Sequence, residues 1–265
     1  MGSPTTAASG APSPRNGSSG ELSSPTGLST ESGSSEPAPS RPRAGATRRG
    51  KASPRRSGRR LFSFDRRLGV RFIAGADEAG RGSLAGPLVA AAVLFDYAGL
   101  TRAQLRALAG LNDSKQHTPE GRDELYPIVL RTAARVVVVS RCVRGIDGRG
   151  LHVTNLQALR DALMRVARPG CLCLVDGFAV PDVGHQQQAI IDGDATSAAI
   201  AAASIIAKVT RDRYMQRADS LHPGWDFAAH VGYSTPEHRE AILRQGVSPL
   251  HRMSFQSAAY QQLVL

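Results

Sequence analysis

The sequence predicts an α/β protein, or an α+β protein with a mixed sheet, and three observations predict it. Two apolar runs of strand length come first, at residues 70 to 77 and 87 to 95. Helical and strand-like patterns then alternate. Finally, "TSAAIAAASIIAK" is apolar almost all round, which in a water-soluble chain means a helix buried on a broad face, with small Ala and Ser residues that let it pack close.

The elements follow in order. The strands at 70 to 77 and 87 to 95 are joined by a Gly-rich segment, and "RVVVVS" (135 to 140) reads as a third strand. "CLCLVD" (171 to 176) is a fourth, and "QAII" (188 to 191) a shorter fifth. Helical periodicity marks 101 to 110, about 119 to 134, 153 to 167, and a long segment from about Thr196 to Leu221. No internal repeat is visible.

Composition divides the chain. No aromatic residue precedes Phe62 and no Val or Ile precedes Val70, so residues 1 to 60 cannot bury enough apolar surface to offset the entropy of ordering. They are expected to be a disordered tail rich in Ser, Gly and Pro, with residues 61 to 265 forming one domain. The tail carries ten Lys or Arg and three Glu, a balance of +7, which leaves +4 of the total +11 for the remainder. Its acid-free stretch from Arg41 to Arg60 suits contact with phosphates, and equally a solvated tail or an organelle transit peptide. Cys142, Cys171 and Cys173 cannot all pair and read as buried thiols of a reducing compartment. With no run of about 18 strongly apolar residues and no secretory leader, a soluble, cytoplasmic protein without membrane contact is expected.

The chemistry centres on four acids in strand-like or strand-end settings: Asp77, Glu78, Asp176 and Asp194. A buried ionised carboxylate must be paired, exposed at a strand end, or bound to a cation. Asp77 and Glu78 are neighbours and point to opposite faces of a strand, so both reach one site only where the strand ends or twists, which Gly80 and Gly82 allow. Converging carboxylates repel one another unless divalent cations balance them, and oxygen-only ligands select Mg²⁺ or Mn²⁺ over zinc. Two such ions suit in-line displacement at phosphorus, hence phosphodiester hydrolysis. Separate ion pairs with Arg81, Lys115 and Lys208 would also account for the acids, and the residues alone leave both readings open.

"GADEAGRGSLAGPLVAAAV" resembles the opening motif of type 2 ribonuclease H, ribonuclease HII. The likeness continues in the family's order through "LNDSKQHTPEGRDELY", "GIDGRGLHVTNLQAL", "LVDG", "GDATSAAIAAASIIAKVTRDR", "HVGYSTPEH" and "HRMSF", from about residue 70 to 255. The resemblance implies a ribonuclease H-like fold, with a central mixed five-stranded sheet, flanking helices and a helical C-terminal region. It also implies Asp77, Glu78, Asp176 and Asp194 as catalytic ligands of two Mn²⁺ or Mg²⁺ ions. It makes Gly80-Arg81-Gly82 the segment that reads 2′-hydroxyls, places Lys115 and Lys208 near the scissile phosphate, and matches Tyr233 to the tyrosine that stacks on the sugar after the scissile ribonucleotide. The implied substrates are RNA:DNA hybrids and ribonucleotides embedded in duplex DNA, cut by a monomer in DNA repair. Gly-Arg-Gly, in place of Gly-Thr-Gly, favours type 2 over type 3.

Ser114, Asn155 and Ser204 fall in motif positions without an assigned step, and His152, His230 and His251 are read as structural or peripheral. Two departures from the family pattern stand out: Asp192 where Lys is usual, and Ser83 where Pro is usual. Rival readings are a non-catalytic hybrid-binding module, which the intact set of four acids disfavours, and a junction resolvase, which would lack the Gly-Arg-Gly and Tyr233 pair.

Overall fold

The computed structural model describes residues 54 to 112, 114 to 255, 257 and 260. The first helix, α1 (Pro54–Arg67), enters with proline at its start. Sequence reasoning assigned residues 54 to 60 to the tail, and here they are helical; residues 1 to 53 lie outside the described residues. What holds α1 is its apolar side and a close approach. Leu61 and Phe62 are buried, and Gly58 sits against the turn at Leu108–Gly110, where a Cβ would stand 2.4 Å from the Ala109 carbonyl oxygen. Its single acid, Asp65, is fully buried and accepts hydrogen bonds from the Tyr97 hydroxyl and from the Ala199 amide at 3.0 Å. Burial outweighs those bonds and pushes its carboxyl up to about 6.

Strand β1 (Phe72–Ala79) pairs antiparallel with β2 (Leu88–Asp96), and β2 pairs antiparallel with β3 (Arg135–Arg141). Between β2 and β3 come α2 (Arg102–Ala107), a 3₁₀ turn at Ser114–Gln116, and α3 (Pro119–Thr132). Thr101 and Gln104 form a capping box at the start of α2, and Thr118 with Pro119 opens α3. After β3 come α4 (Val143–Arg149) and α5 (Leu151–Val166), then β4 (Cys171–Asp176), parallel to β1, and β5 (Gln186–Ile190), parallel to β4. A 3₁₀ turn at Gly193–Ala195 leads into α6 (Ala198–Leu221), and α7 (Phe227–His230) and α8 (Pro236–Gln245) follow. The strand order is β3-β2-β1-β4-β5, a mixed five-stranded sheet, as expected.

The sheet has two cores, one on each face. Odd-numbered β1 positions such as Ile73 and Ala79 pack with α6, whereas Ala74 and Ala76 pack with Leu159, Ala162 and Leu163 of α5. Helix α6 lies so near β1 that a Cβ on Gly75 would fall 2.1 Å from the Ala199 carbonyl carbon, so Gly75→Val would force the layers apart. Each buried Leu, Ile or Phe of these layers contributes about 1.5–3 kcal/mol.

Three expectations change in detail. Strand β1 runs two residues beyond 77, because Glu78 and Ala79 still pair with Ala90 and Val89 before Gly80, at φ +87°, turns the chain. The predicted helix at 101 to 110 breaks into α2 and a 3₁₀ turn. Cys171 and Cys173 are buried, but Cys142 is exposed, because it follows β3 and caps the start of α4 outside the sheet.

Candidate active site

The site grows from the carboxyl ends of β1 and β4. Asp77 faces α6, where the Ser204 hydroxyl bonds its carboxylate, and its Oδ1 accepts the Glu78 amide at 2.7 Å. Glu78 faces the other layer, beside Asn155 of α5, which favours its charged form without completing a well-formed hydrogen bond. The alternation expected of neighbours in a strand therefore holds. Both side chains nevertheless line one cavity of about 240 Å³, since β1 ends one residue later.

Asp176, the last residue of β4, lines the same cavity and accepts the Gly193 amide at 2.7 Å. Asp194 follows on the 3₁₀ turn, buried, with its Oδ2 3.8 Å from Lys115 Nζ. The cavity walls also include Gly80, Arg81, Gly82, Lys115, Ser204, Lys208 and Tyr233. Nine of the ten residues singled out from the sequence thus share one cavity, and the tenth, Asp194, touches Lys115 on its wall.

The electrostatics distinguish a cation site from a set of separate ion pairs. Burial, and then the neighbouring charge of Glu78, push the Asp77 carboxyl well above its ordinary range, and Asp176 adds to the effect. Burial also raises Glu78, against the lowering influence of Arg81, whose guanidinium stands 3.8 Å away. No ion pair reaches Asp77 or Asp176 among the described residues, and Lys208 turns instead to Asp212 at 2.8 Å. Separate ion pairs therefore leave two of the four acids without a counter-charge. No three acidic, His or Cys side chains among the described residues close into a ready-formed cation cage. The mutual influence of Asp77, Glu78 and Asp176 still puts three carboxylates within reach of one another, and an all-oxygen donor set short of positive charge fits hard divalent cations.

The rim is held from behind. Arg211 is fully buried and donates to the carbonyls of Pro87 (2.9 Å), Ala85 (2.9 Å) and Val231 (2.8 Å), while its guanidinium lies 5.4 Å from the Tyr233 ring centre. A Cβ on Gly80 would fall 2.0 Å from Arg211 Nε, so Gly80 admits this arginine. At Gly82, by contrast, a Cβ would meet nothing within 4 Å. Arg252, also fully buried, donates to Gly86 and to the Arg81 carbonyl at 3.2 Å. Sequence reasoning missed both arginines. They lie inside quoted segments, "VTRDR" and "HRMSF", but an arginine in sequence reads as surface.

Of the departures, Asp192 is an exposed residue in the left-handed region at φ 51° and does not line the cavity. Ser83 is fully buried, with its hydroxyl unpartnered among the described residues. His230 and His251 are buried with His238 behind the Tyr233 turn, in keeping with a structural reading, and His152 packs edge-on to Phe178.

Comparison with known proteins bears on the whole of this region. The family model described as Ribonuclease HII matches residues 74–258. A Ribonuclease HII of Nocardia farcinica is 48% identical over 192 residues, which is 72% of this chain and 74% of that protein. Among solved structures, the ribonuclease H2 of Pyrococcus horikoshii OT3 superposes with a TM-score of 0.60 at 25% identity, covering 72% of this chain and 96% of that one. Bst-RNase HIII in complex with Mn²⁺ superposes with a TM-score of 0.59 at 20% identity, over 76% of this chain and 71% of that one, a likeness of fold.

Proposed function

The chain belongs to the ribonuclease HII family, whose members are ribonuclease H endonucleases acting on RNA:DNA hybrids, and on that premise we propose that it also cuts duplex DNA 5′ to a single embedded ribonucleotide. The observation that carries this reading is the pairing of Asp77 and Glu78. Facing opposite layers of the sheet, they open on one cavity with Asp176, and Gly80-Arg81-Gly82 forms its rim.

In this reading Asp77, Glu78, Asp176 and Asp194 hold two Mg²⁺ or Mn²⁺ ions. Such ions, when bound, lower the pKa of water and neutralise charge developing on phosphoryl oxygens. The oxygen of water bonds to phosphorus as the bond to the preceding 3′-oxygen breaks, leaving a 3′-hydroxyl and a 5′-phosphate. The open space at Gly82 lets the backbone of 80 to 82 approach a ribose 2′-hydroxyl. Arg81, steadied over the Phe178 ring at 4.9 Å, and Lys115 contact phosphates beside the cut. Lys208 stands over the Tyr233 ring at 5.2 Å, held by Asp212, and orients that ring for stacking on the next sugar.

The biological role we assign is removal of misincorporated ribonucleotides by a cytoplasmic monomer. No helix among the described residues is long and apolar enough to cross a membrane, and the three cysteines are free. The test is a labelled duplex carrying one ribonucleotide, beside an all-DNA control, with Mg²⁺ or Mn²⁺. A single cut 5′ to the ribonucleotide that disappears in Asp176→Asn is expected. Binding without cleavage under either ion would overturn the assignment.

A further inference from the structure

A second charged cavity lies outside the catalytic pocket. Helices α1 and α2 enclose a cleft of about 530 Å³ with Phe62 and Leu105 among its walls and four exposed arginines, Arg59, Arg66, Arg102 and Arg106, around it. Three other arginines of the surface meet acids: Arg71 pairs with Asp96, Arg141 with Asp161 and Arg213 with Asp123. Among the described residues none of the four cleft arginines has such a partner, and the one side-chain hydrogen bond between them runs from Arg106 Nε to the Arg102 carbonyl at 3.3 Å. Neither helix supplies an acid to the cleft: α2 has none, and Asp65 of α1 is buried toward Tyr97 and Ala199. Four cations with no counter-charge around an open cleft make a site for a polyanion.

Both walls connect directly to catalytic-site elements. Arg60, in the turn between Arg59 and Phe62, donates to the Ala195 carbonyl at 3.2 Å, one residue after Asp194. The turn at Leu108–Gly110, against which Gly58 packs, leads along the chain to Lys115. The Arg60 bond thus sets α1 beside the turn that carries Asp194.

We propose that the α1–α2 arginine cleft is a second nucleic-acid site, which binds backbone phosphates of the duplex flanking the cut and so extends the substrate track beyond the catalytic pocket. The proposal rests on the nuclease reading above and specifies how far along the duplex the protein reaches. An acidic protein segment would also meet cationic walls, but the contact with the Asp194 turn favours the strand that the pocket itself engages.

The test compares the full chain with Arg102→Gln/Arg106→Gln in EDTA, by fluorescence anisotropy on ribonucleotide-bearing duplexes. On a duplex of about 30 base pairs the variant is expected to bind about tenfold more weakly at ~0.1 M salt, with the slope of log affinity against log salt reduced by about two. On a duplex of about 10 base pairs, too short to span pocket and cleft, the two proteins should bind alike. Equal affinities on the long duplex, or equal weakening on both lengths, would overturn the proposal. So would loss of binding to a poly-glutamate peptide with duplex binding intact, which would assign the cleft to an acidic protein. Because binding is read without divalent ions, a wild-type chain that never cuts but shows the length dependence would sink the cleavage reading and leave the cleft standing. One that cuts without it would do the reverse.

Discussion

Two sets of buried charge flank the segment from Gly80 to Pro87, and the protein treats them in opposite ways. The arginines behind it, Arg211 and Arg252, are fully buried without a carboxylate at ion-pair distance, yet six hydrogen bonds to backbone carbonyls occupy their guanidinium donors. The acids on its other side, buried Asp77 and half-buried Asp176, find an amide or a hydroxyl but no cation among the described residues. A buried ion whose needs are met by fixed dipoles holds structure; one whose charge is left over is poised for something that must arrive. The sharpest break of this comparison is a pair of measurements on Asp77→Asn. Cleavage should fall by roughly 10³-fold or more, because ion binding and charge neutralisation are worth several kcal/mol of barrier. The melting temperature of the metal-free protein should hold or rise, since desolvation of Asp77 and its repulsion by Glu78 are both relieved.

The opposite result is expected behind the segment. Arg211→Met keeps much of the side-chain volume but leaves the carbonyls of Ala85, Pro87 and Val231 without a donor in the interior. At about 1–3 kcal/mol for each of three unsatisfied groups, a loss of roughly 3 kcal/mol or more in unfolding free energy should appear in denaturant titration. A drop in cleavage with an undisturbed denaturation midpoint would show that Arg211 acts on substrate rather than on the rim, and the comparison would fail.

The same contrast explains what the sequence disclosed. The sheet was legible because alternating or unbroken apolar runs such as "RVVVVS" and "CLCLVD" have no other stable use, and α6 was legible because "AAIAAASIIAK" leaves no polar face to water. The four acids stood out because they interrupt apolar surroundings. The fifth strand was placed late, at 188 to 191 instead of Gln186–Ile190, because an edge strand reading "QQQAI" needs few apolar residues. Helix α1 was missed because its charge composition resembles a tail; its docking depends on Gly58 meeting Ala109, a contact between distant residues that no local pattern encodes. Arg211 and Arg252 were missed for the same reason, since their partners lie more than 100 residues away for Arg211 on Ala85 and Pro87, and likewise for Arg252 on Gly86.

Tyr233 lies where the two regions meet, its ring near both Lys208 and Arg211. Tyr233→Ala should raise KM for a single-ribonucleotide duplex about tenfold, within the range of about 1–3 kcal/mol for a lost stacking partner. Tyr233→Phe should remain within about twofold, because the stacking face survives. A Phe variant as weak as Ala would transfer the role to the hydroxyl, and steady-state kinetics on one duplex separates the two cases.

The smallest effect concerns a third way of burying polar groups, which is to keep them neutral. His251 Nδ1 accepts the Ser248 amide at 2.8 Å, so its Nε2 carries the proton and donates to His238 Nε2 at 3.1 Å; His238 Nδ1 in turn donates to the Tyr233 carbonyl at 2.8 Å. His230 stacks on His238 at 4.0 Å, and Phe227 packs edge-on to it. Burial, together with neighbouring imidazoles, holds both His238 and His251 down to about 4, below the ordinary histidine value near 6.5. Between those values the unfolded chain binds protons that the folded chain refuses, so stability is complete above about 6.5 and falls as pH drops toward about 4. The raised carboxyls of Asp65, at about 6, and of Asp77 and Glu78 work in the other direction, so the imidazole contribution is read as the difference between the wild type and His251→Asn. Below about pH 6.5 the wild type should lose stability relative to His251→Asn, each refused proton contributing up to about 1.4 kcal/mol per pH unit. His251→Asn should melt below the wild type at neutral pH, because it loses the bonds to Ser248 and His238, and the gap should narrow as pH falls toward about 4. Because the relay ends on the Tyr233 carbonyl, the wild-type KM should rise on acidification more than that of His251→Asn; a KM that changes alike in the two proteins would separate the relay from the site.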